Sequence, residues 1–221
     1  MSIQIITTAD GSNSLLNVSL NETYHSIHGA IQESLHVFIQ NGLLPFLHDD
    51  RKEISVLEVG FGTGLNALLT MQCADQLKMK VSYNTIEPYP LPENVWTLLN
   101  YPETLNLAKE YRALHKASWQ VGTSLSPYFK ILKLQSLLQE TDLGTAEFDI
   151  IYYDAFAPPK QPDLWVLNVL QKVVTTLKPG GALVTYCAKG QVKRDLKSLQ
   201  MTVEALPGPP GKKEMIRAIK N

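Results

Sequence analysis

The chain has 221 residues, 44% hydrophobic and 19% charged, with a formal net charge of −1. These are globular proportions, enough for one domain with a good core, and no low-complexity segment or internal repeat interrupts them. The near-neutral total hides an asymmetry: residues 1–177 carry 11 Lys and Arg against 18 Asp and Glu, whereas residues 178–221 carry nine against three. A basic end on an acidic body is a local patch suited to a polyanion.

The first element is hairpin-like, Ile3 to Thr7 and Leu15 to Val18 flanking the turn composition Asp10-Gly11-Ser12-Asn13. Ile31 to Leu47 follows as a helix, with Ile31, Leu35, Phe38 and Ile39 at helical spacing. Strand one is Ile54 to Val59 and its helix Leu65 to Leu77, and strand two is Val81 to Ile86. Pro88, Pro90 and Pro92 open a loop and start a helix to about Asn100, and another helix spans Thr104 to His115. Phe129 to Leu134 and Phe148 to Tyr153 are strands three and four. Asp163 to Leu177 is a helix ended by Lys178-Pro179-Gly180-Gly181, Ala182 to Tyr186 is strand five, and Gln191 to Leu199 is helix again. Met201 to Leu206 and Glu214 to Ile219 form a last hairpin around Pro207-Gly208-Pro209-Pro210-Gly211. Strands alternating with helices imply an α/β, doubly wound, Rossmann-like sheet of seven strands, mostly parallel. The closing hairpin makes one strand antiparallel. Residues 1–50 are expected to be a small N-terminal extension packed on a core of residues 51–221, with no oxidoreductase domain.

Cys73 and Cys187 have no Cys or His partner at ligand spacing and read as buried thiols of a reduced compartment. His25, His28, His36, His48 and His115 form no H-x-x-x-H or H-E-x-x-H, so no metal is expected. No secretory leader and no membrane span is legible, which makes the cytoplasm the expected location and leaves a membrane off the list of partners.

Chemistry concentrates at two places. The first is Glu58-Val59-Gly60-Phe61-Gly62-Thr63-Gly64-Leu65-Asn66. An apolar strand ends in an acid, a glycine-rich turn follows, then a helix. Glycine permits positive φ and brings backbone close to a ligand. Leu65 stands where the third glycine of the dinucleotide fingerprint belongs, and the acid precedes the glycines, so a nicotinamide-dependent oxidoreductase is disfavoured. The order matches motif I of S-adenosylmethionine (SAM) methyltransferases. Strand two ends in Glu87, placed as the acceptor for two ribose hydroxyls. Gln135 or Ser136 stands where many methyltransferases carry an adenine-binding acid.

The second place is the end of strand four, Asp154-Ala155-Phe156-Ala157-Pro158-Pro159-Lys160-Gln161-Pro162-Asp163-Leu164-Trp165. In open α/β sheets ligands sit beyond the carboxyl ends of the strands, so Asp154 enters the crevice, unless it merely caps the next element. Phe156 is suited to stack on a base.

These segments carry a resemblance. D-x-F-A-P-x-K-x-P-D-x-W, together with Tyr24-His25-Ser26-Ile27-His28-Gly29-Ala30-Ile31-Gln32-Glu33-Ser34, resembles the methyltransferase domain of the MnmC family of tRNA wobble-uridine modification proteins. Glu87-Pro88-Tyr89-Pro90-Leu91, Gly180 to Leu196 and Gly211-Lys212-Lys213-Glu214-Met215 extend the likeness over nearly the whole chain. The resemblance implies a class I fold, SAM as cofactor without metal or FAD, and methylation of the aminomethyl group of 5-aminomethyl-(2-thio)uridine in the tRNA anticodon loop. The flavin-dependent oxidase half of fused members lies outside this sequence, so a separate enzyme supplying the amine becomes an expected partner. Asp154 would orient the amine, with general-base action as a further role. Tyr24 and Phe156 would pack the uracil, and Lys160, Lys189 and Arg194 would meet phosphates. Glu33 either orients a loop near the reaction or stabilises a helix start. The competing readings are a methyltransferase acting on a small amine or hydroxyl, and a non-catalytic tRNA-binding module.

Overall fold

The computed structural model describes residues 3–47 and 53–221. The expected boundary at residues 50 and 51, and His48, lie outside the described residues.

Strands β1 (Ile3–Thr7) and β2 (Asn13–Asn17) form the expected hairpin, and β3 (Glu22–Thr23) adds a third antiparallel strand. Asp10 builds the turn by accepting the Ser12 N–H at 3.0 Å, an Asx turn. The long helix expected from Ile31 to Leu47 is instead a composite. Helix α1 (Ala30–Ser34) passes into a π-helix, Leu35–Leu43, and a closing 3₁₀ turn, Leu44–Phe46. The Leu44 N–H reaches back five residues to the Ile39 carbonyl. The wider turn lets the consecutive residues Val37, Phe38 and Ile39 all be buried. Gly42 permits the close crossing: a Cβ there would stand 3.0 Å from Val184 and 3.2 Å from Tyr152.

The main sheet uses β4 (Glu53–Val59), β5 (Lys80–Ile86), β6 (Thr123–Ser124), β7 (Phe129–Leu134), β8 (Phe148–Tyr153), β9 (Leu177–Thr185), β10 (Met201–Pro207) and β11 (Glu214–Lys220). Between them run α2 (Leu65–Leu77), α3 (Glu93–Trp96), α4 (Tyr101–Leu105), α5 (Ala108–Lys116), α6 (Leu167–Thr176) and α7 (Gly190–Ser198). The order is β10-β11-β9-β8-β4-β5-β7-β6. The five central strands are parallel, and β11 runs antiparallel to both neighbours. This is the class I arrangement the alternation predicted, with one addition. The two-residue β6 pairs antiparallel with β7 at the edge, making eight strands among the described residues.

Other boundaries differ: the helix expected to run to about Asn100 is only Glu93–Trp96, and the one expected over Asp163 to Leu177 is a 3₁₀ turn, Pro162–Leu164, followed by Leu167–Thr176. The helix expected over Thr104 to His115 is broken by Asn106, which adopts a left-handed φ of 56° between α4 and α5. Lys178-Pro179-Gly180-Gly181, expected to be a helix stop outside the sheet, lies inside β9. The pairing of β8 with β9 shifts register between Phe148 and Ile150, which gives the extra residues room.

Both faces of the sheet are covered. Ile54 and Val56 of β4 join Phe38, Leu68 and Tyr83 on one side, and Leu57 and Val59 join Val173, Leu183 and Leu196 on the other. Double burial explains the unbroken apolar runs in the central strands. Leu15, Ala30 and Phe38 of the N-terminal segment share the first cluster, so that segment is part of the wall beside the strand ends.

Candidate active site

The carboxyl ends of β4, β5, β8 and β9 open onto a cavity of about 580 Å³, the size of a cofactor or ligand pocket. Its geometry starts from ladder ends. The Gly60 N–H donates to the Ile86 carbonyl at 2.9 Å, and the Asp154 N–H to the Val59 carbonyl at 3.0 Å. The glycine turn and Asp154 therefore abut. Gly60 has φ +95°, and a Cβ on it would lie 2.9 Å from the Asp154 carbonyl oxygen. No other residue fits without moving backbone. Gly60→Ala is therefore expected to cost about 1–3 kcal/mol of stability in backbone strain. It should also weaken cofactor binding at least about tenfold, as near-ångström displacement of a binding backbone does. Melting curves and a binding titration would check both.

Behind the turn, Thr63 is held from three directions. Its Oγ1 lies 2.7 Å from His25 Nε2, and its carbonyl accepts from Tyr111 Oη at 2.9 Å and faces His115 Nε2 at 3.1 Å. Burial pushes His25 down to about 4 and His115 to about 3, so both are neutral near pH 7. Gly64 caps α2 with φ +75°. Lys133 is buried and donates to the Leu114 and His115 carbonyls, 2.9 Å each, at the C-terminal end of α5. Its ammonium sits 4.7 Å from the Trp119 ring and 5.4 Å from the Phe61 ring, which steadies Phe61 from outside the cavity.

Three carboxyl groups stand at the strand ends behind and beside the cavity. Glu58 is wholly buried beneath the turn; Thr85 Oγ1 donates to its Oε2 at 2.8 Å, while Oε1 has no hydrogen-bond partner. Desolvation pushes it up to about 8. Glu87 accepts the Gly62 N–H at 3.1 Å and the Tyr89 N–H at 2.9 Å, tying the two cofactor-side loops together; burial raises it too. Asp154 accepts from Asn66 Nδ2 at 2.8 Å. Burial first, then the nearby Glu33 and Glu58, hold Asp154 well above the usual carboxylate range. A cavity beside which Glu58, Glu87 and Asp154 are all raised suits a cationic ligand, which would favour their ionised forms. With the glycine cradle, the Glu58 and Glu87 carboxyls fit the sulfonium and ammonium of SAM.

In the loop after β8, Phe156 is fixed at both ends. Its N–H donates to Gln161 Oε1 at 3.2 Å, and its carbonyl accepts from Trp165 Nε1 at 2.8 Å. The Tyr24 ring meets Phe156 edge-on at 5.1 Å. Tyr24 also lies over Gly62, where a Cβ would be 3.2 Å away. Asn17, Ser19 and Leu20 continue the wall.

Gly60, Phe61, Gly62, Thr63, Asn66, Glu87, Tyr24, Asp154, Phe156 and Lys160 all line the cavity. Glu58 and Gly64 support it from behind. Gln135 and Ser136 are not among the lining residues. A turn closed by the Glu140 N–H on the Leu137 carbonyl brings Leu137, Leu138 and Gln139 there instead, and Ser136 Oγ lies 2.6 Å from Thr141 Oγ1. Lys160, expected at a phosphate, donates to the Leu20 and Asn21 carbonyls at 2.9 and 3.0 Å and so clasps the N-terminal wall. Lys189, just before α7, and Arg194, in its middle, are exposed and outside the cavity. Glu33 is buried, accepts the Ser26 N–H at 2.7 Å and pairs with Lys212. Tyr186 lines the cavity unanticipated. It directly follows the end of β9, and the strand-end rule applied to strand five as well as strand four points to it. Among the described residues, no cluster of three or more His, Cys, Asp or Glu could hold a metal, and no helix is long and apolar enough to cross a membrane.

Comparison with known proteins gives a consistent set of likenesses. Residues 108–221 match the family model described as S-adenosyl-L-methionine-dependent methyltransferase. The tRNA 5-methylaminomethyl-2-thiouridine biosynthesis bifunctional protein MnmC of Pseudomonas entomophila is 28% identical over 211 residues, covering 90% of this chain and 32% of that protein. Its namesake in Methylibium petroleiphilum is 30% identical over 205 residues, covering 88% and 31%. The chain thus spans about a third of the length of these curated relatives. The crystal structure of MNMC2 from Aquifex aeolicus superimposes with a TM-score of 0.79 at 26% identity, covering 98% of this chain and 69% of that one.

Proposed function

The chain belongs to the S-adenosyl-L-methionine-dependent methyltransferases, and on that premise we propose that it methylates the exocyclic amine of 5-aminomethyl-(2-thio)uridine at the tRNA wobble position. The product is 5-methylaminomethyl-(2-thio)uridine. The carrying observation is Asp154: it joins the glycine turn on one side to the Tyr24–Phe156 pair on the other, inside one cavity. The names of the relatives supply the substrate, and the reaction is proposed to run in the cytoplasm.

Gly60 to Asn66, Glu58 and Glu87 would hold the cofactor, which supplies an electrophilic methyl group when bound. The chain's own residues do the rest. Tyr24 and Phe156 take the uracil ring between the N-terminal wall and the loop after β8. The aminomethyl group arrives largely protonated and must lose a proton before its lone pair can act. Asp154 has the raised proton affinity such an acceptor needs and is steered by Asn66. Orientation within the closed cavity supplies most of the remaining rate, up to about 7–11 kcal/mol. The free amine is proposed to come from a separate enzyme.

A large polyanion and a small nucleoside are separable. Aminomethyl-containing tRNA is expected to outcompete the free nucleoside, with binding that weakens as salt rises. Lys189→Ala with Arg194→Ala should lower the salt slope by about two, leaving SAM affinity intact. Equal use of the free nucleoside with no salt dependence would turn the reading to small-molecule methylation.

A further inference from the structure

One group beside the cavity has no part in the scheme above. Lys212 lies in the loop between β10 and β11, far in sequence from the glycine turn. Its ammonium is 2.5 Å from Glu33 Oε1 and 3.8 Å from the centre of the Tyr186 ring. Glu33 is 5% exposed, and its other oxygen accepts the Ser26 N–H. Tyr186 lines the cavity, and its hydroxyl donates to the Ala155 carbonyl at 2.9 Å, next to Asp154. Lys212 thus connects the β10–β11 loop, helix α1, the end of β9 and the loop after β8.

Resting on the amine-methylation reading, we infer that Lys212 is a positioning residue for the transfer. Its ammonium, locked between the Glu33 carboxylate and the Tyr186 ring, fixes the wall beside Asp154 and sets the charge that Asp154 faces.

The surrounding charges make this specific. Asp154 is faced by Glu58 from β4, Glu33 from α1, Lys212 from the β10–β11 loop, and the neutral Asn66 from α2. Glu33 and Glu58 oppose its ionisation, and Lys212 favours it. Tyr186 feels Asp154, Glu33 and Glu22, and burial keeps it protonated. His25 faces Glu33, Lys212 and Asp10 and is neutral. Removing the cation leaves Glu33 buried without its ion-pair partner, so Asp154 ionises at higher pH. Removing the Glu33 charge does the opposite. A residue that merely held the loop would move the two variants alike.

The test reads Asp154 in the cofactor-free protein by NMR titration of ¹³C-labelled Asp carboxyls, assigned with Asp154→Asn, and reads kcat against pH on aminomethyl-containing tRNA. Lys212→Met is expected to move the Asp154 titration and the acid limb of kcat up by about one pH unit, about a tenfold loss of rate on that limb. Glu33→Gln should move both down, and Lys212→Arg should restore near wild-type behaviour. An Asp154 titration unmoved by either variant, or moved in the same direction by both, overturns the inference. Should Lys212→Met fail to fold, Glu33→Gln and Lys212→Arg still decide it. The titration needs no substrate. Opposite shifts with an inactive wild type would sustain the role of Lys212 and reject the tRNA reading.

Discussion

Asp154→Asn is expected to lower methyl transfer by about 10²–10⁴-fold, the usual contribution of a positioned acid–base group. The SAM dissociation constant should change by less than about threefold, since the substitution takes away no contact of the cofactor-side cradle. The variant isolates the charge. Asparagine keeps the size and an oxygen that can accept the Asn66 Nδ2 hydrogen bond, so the loop after β8 stays in place. The amide cannot take a proton from the substrate amine. Loss of SAM binding in parallel with turnover would show that Asp154 builds the cofactor cradle instead. Single-turnover transfer and a binding titration on the same preparation separate the two outcomes.

Between pH 6.5 and 8 one buried carboxyl should cost the cofactor-free protein about 1.6 kcal/mol of stability, at a slope that falls from close to 1.4 kcal/mol per pH unit to about half that. The cause is Glu58, which titrates at about 8 when folded against an ordinary value of 4.5. A raised folded pKa gives a stabilising contribution that is complete below the unfolded value and lost as pH rises through the folded one. Asp154 and Glu87 are raised as well and act in the same sense. Up to about pH 7.5 the depressed His25 and His115 oppose this trend, because the unfolded chain binds protons there that the folded one does not. Toward pH 8 Lys133, lowered to about 8, opposes it too. The difference between wild type and Glu58→Gln isolates the Glu58 contribution from these. Glu58→Gln should remove that contribution between pH 6.5 and 8, because an amide does not titrate. Urea denaturation at several pH values reads this directly. A slope left unchanged by Glu58→Gln would mean that Glu58 is ionised in the fold.

The strand sequence, the single antiparallel partner in the core and the abutting of the glycine turn with Asp154 were legible because each rests on local chemistry. Double burial writes apolar runs, and a parallel sheet gathers strand ends on one edge. What was not legible depends on distance in space. The π-helix arises because the helix must cross β8 and β9 closely at Gly42, a packing demand invisible to 3.6-residue spacing. Lys160 reads as a phosphate contact by charge alone, yet the fold presents it with two carbonyls 139 and 140 residues away. Gln135 and Ser136 were placed by analogy with an acid in other sheets, and the turn after β7 carries Leu137 to Gln139 to the cavity instead. Lys212 and Tyr186 meet only because the β10–β11 loop folds back beside β9.

The most direct measurement is transfer from methyl-labelled SAM to tRNA from cells lacking this protein, followed by mass analysis of the digested nucleosides. Label in 5-methylaminomethyl-(2-thio)uridine, absent with Asp154→Asn, is the predicted result. Bound SAM with no label in that nucleoside would contradict the account.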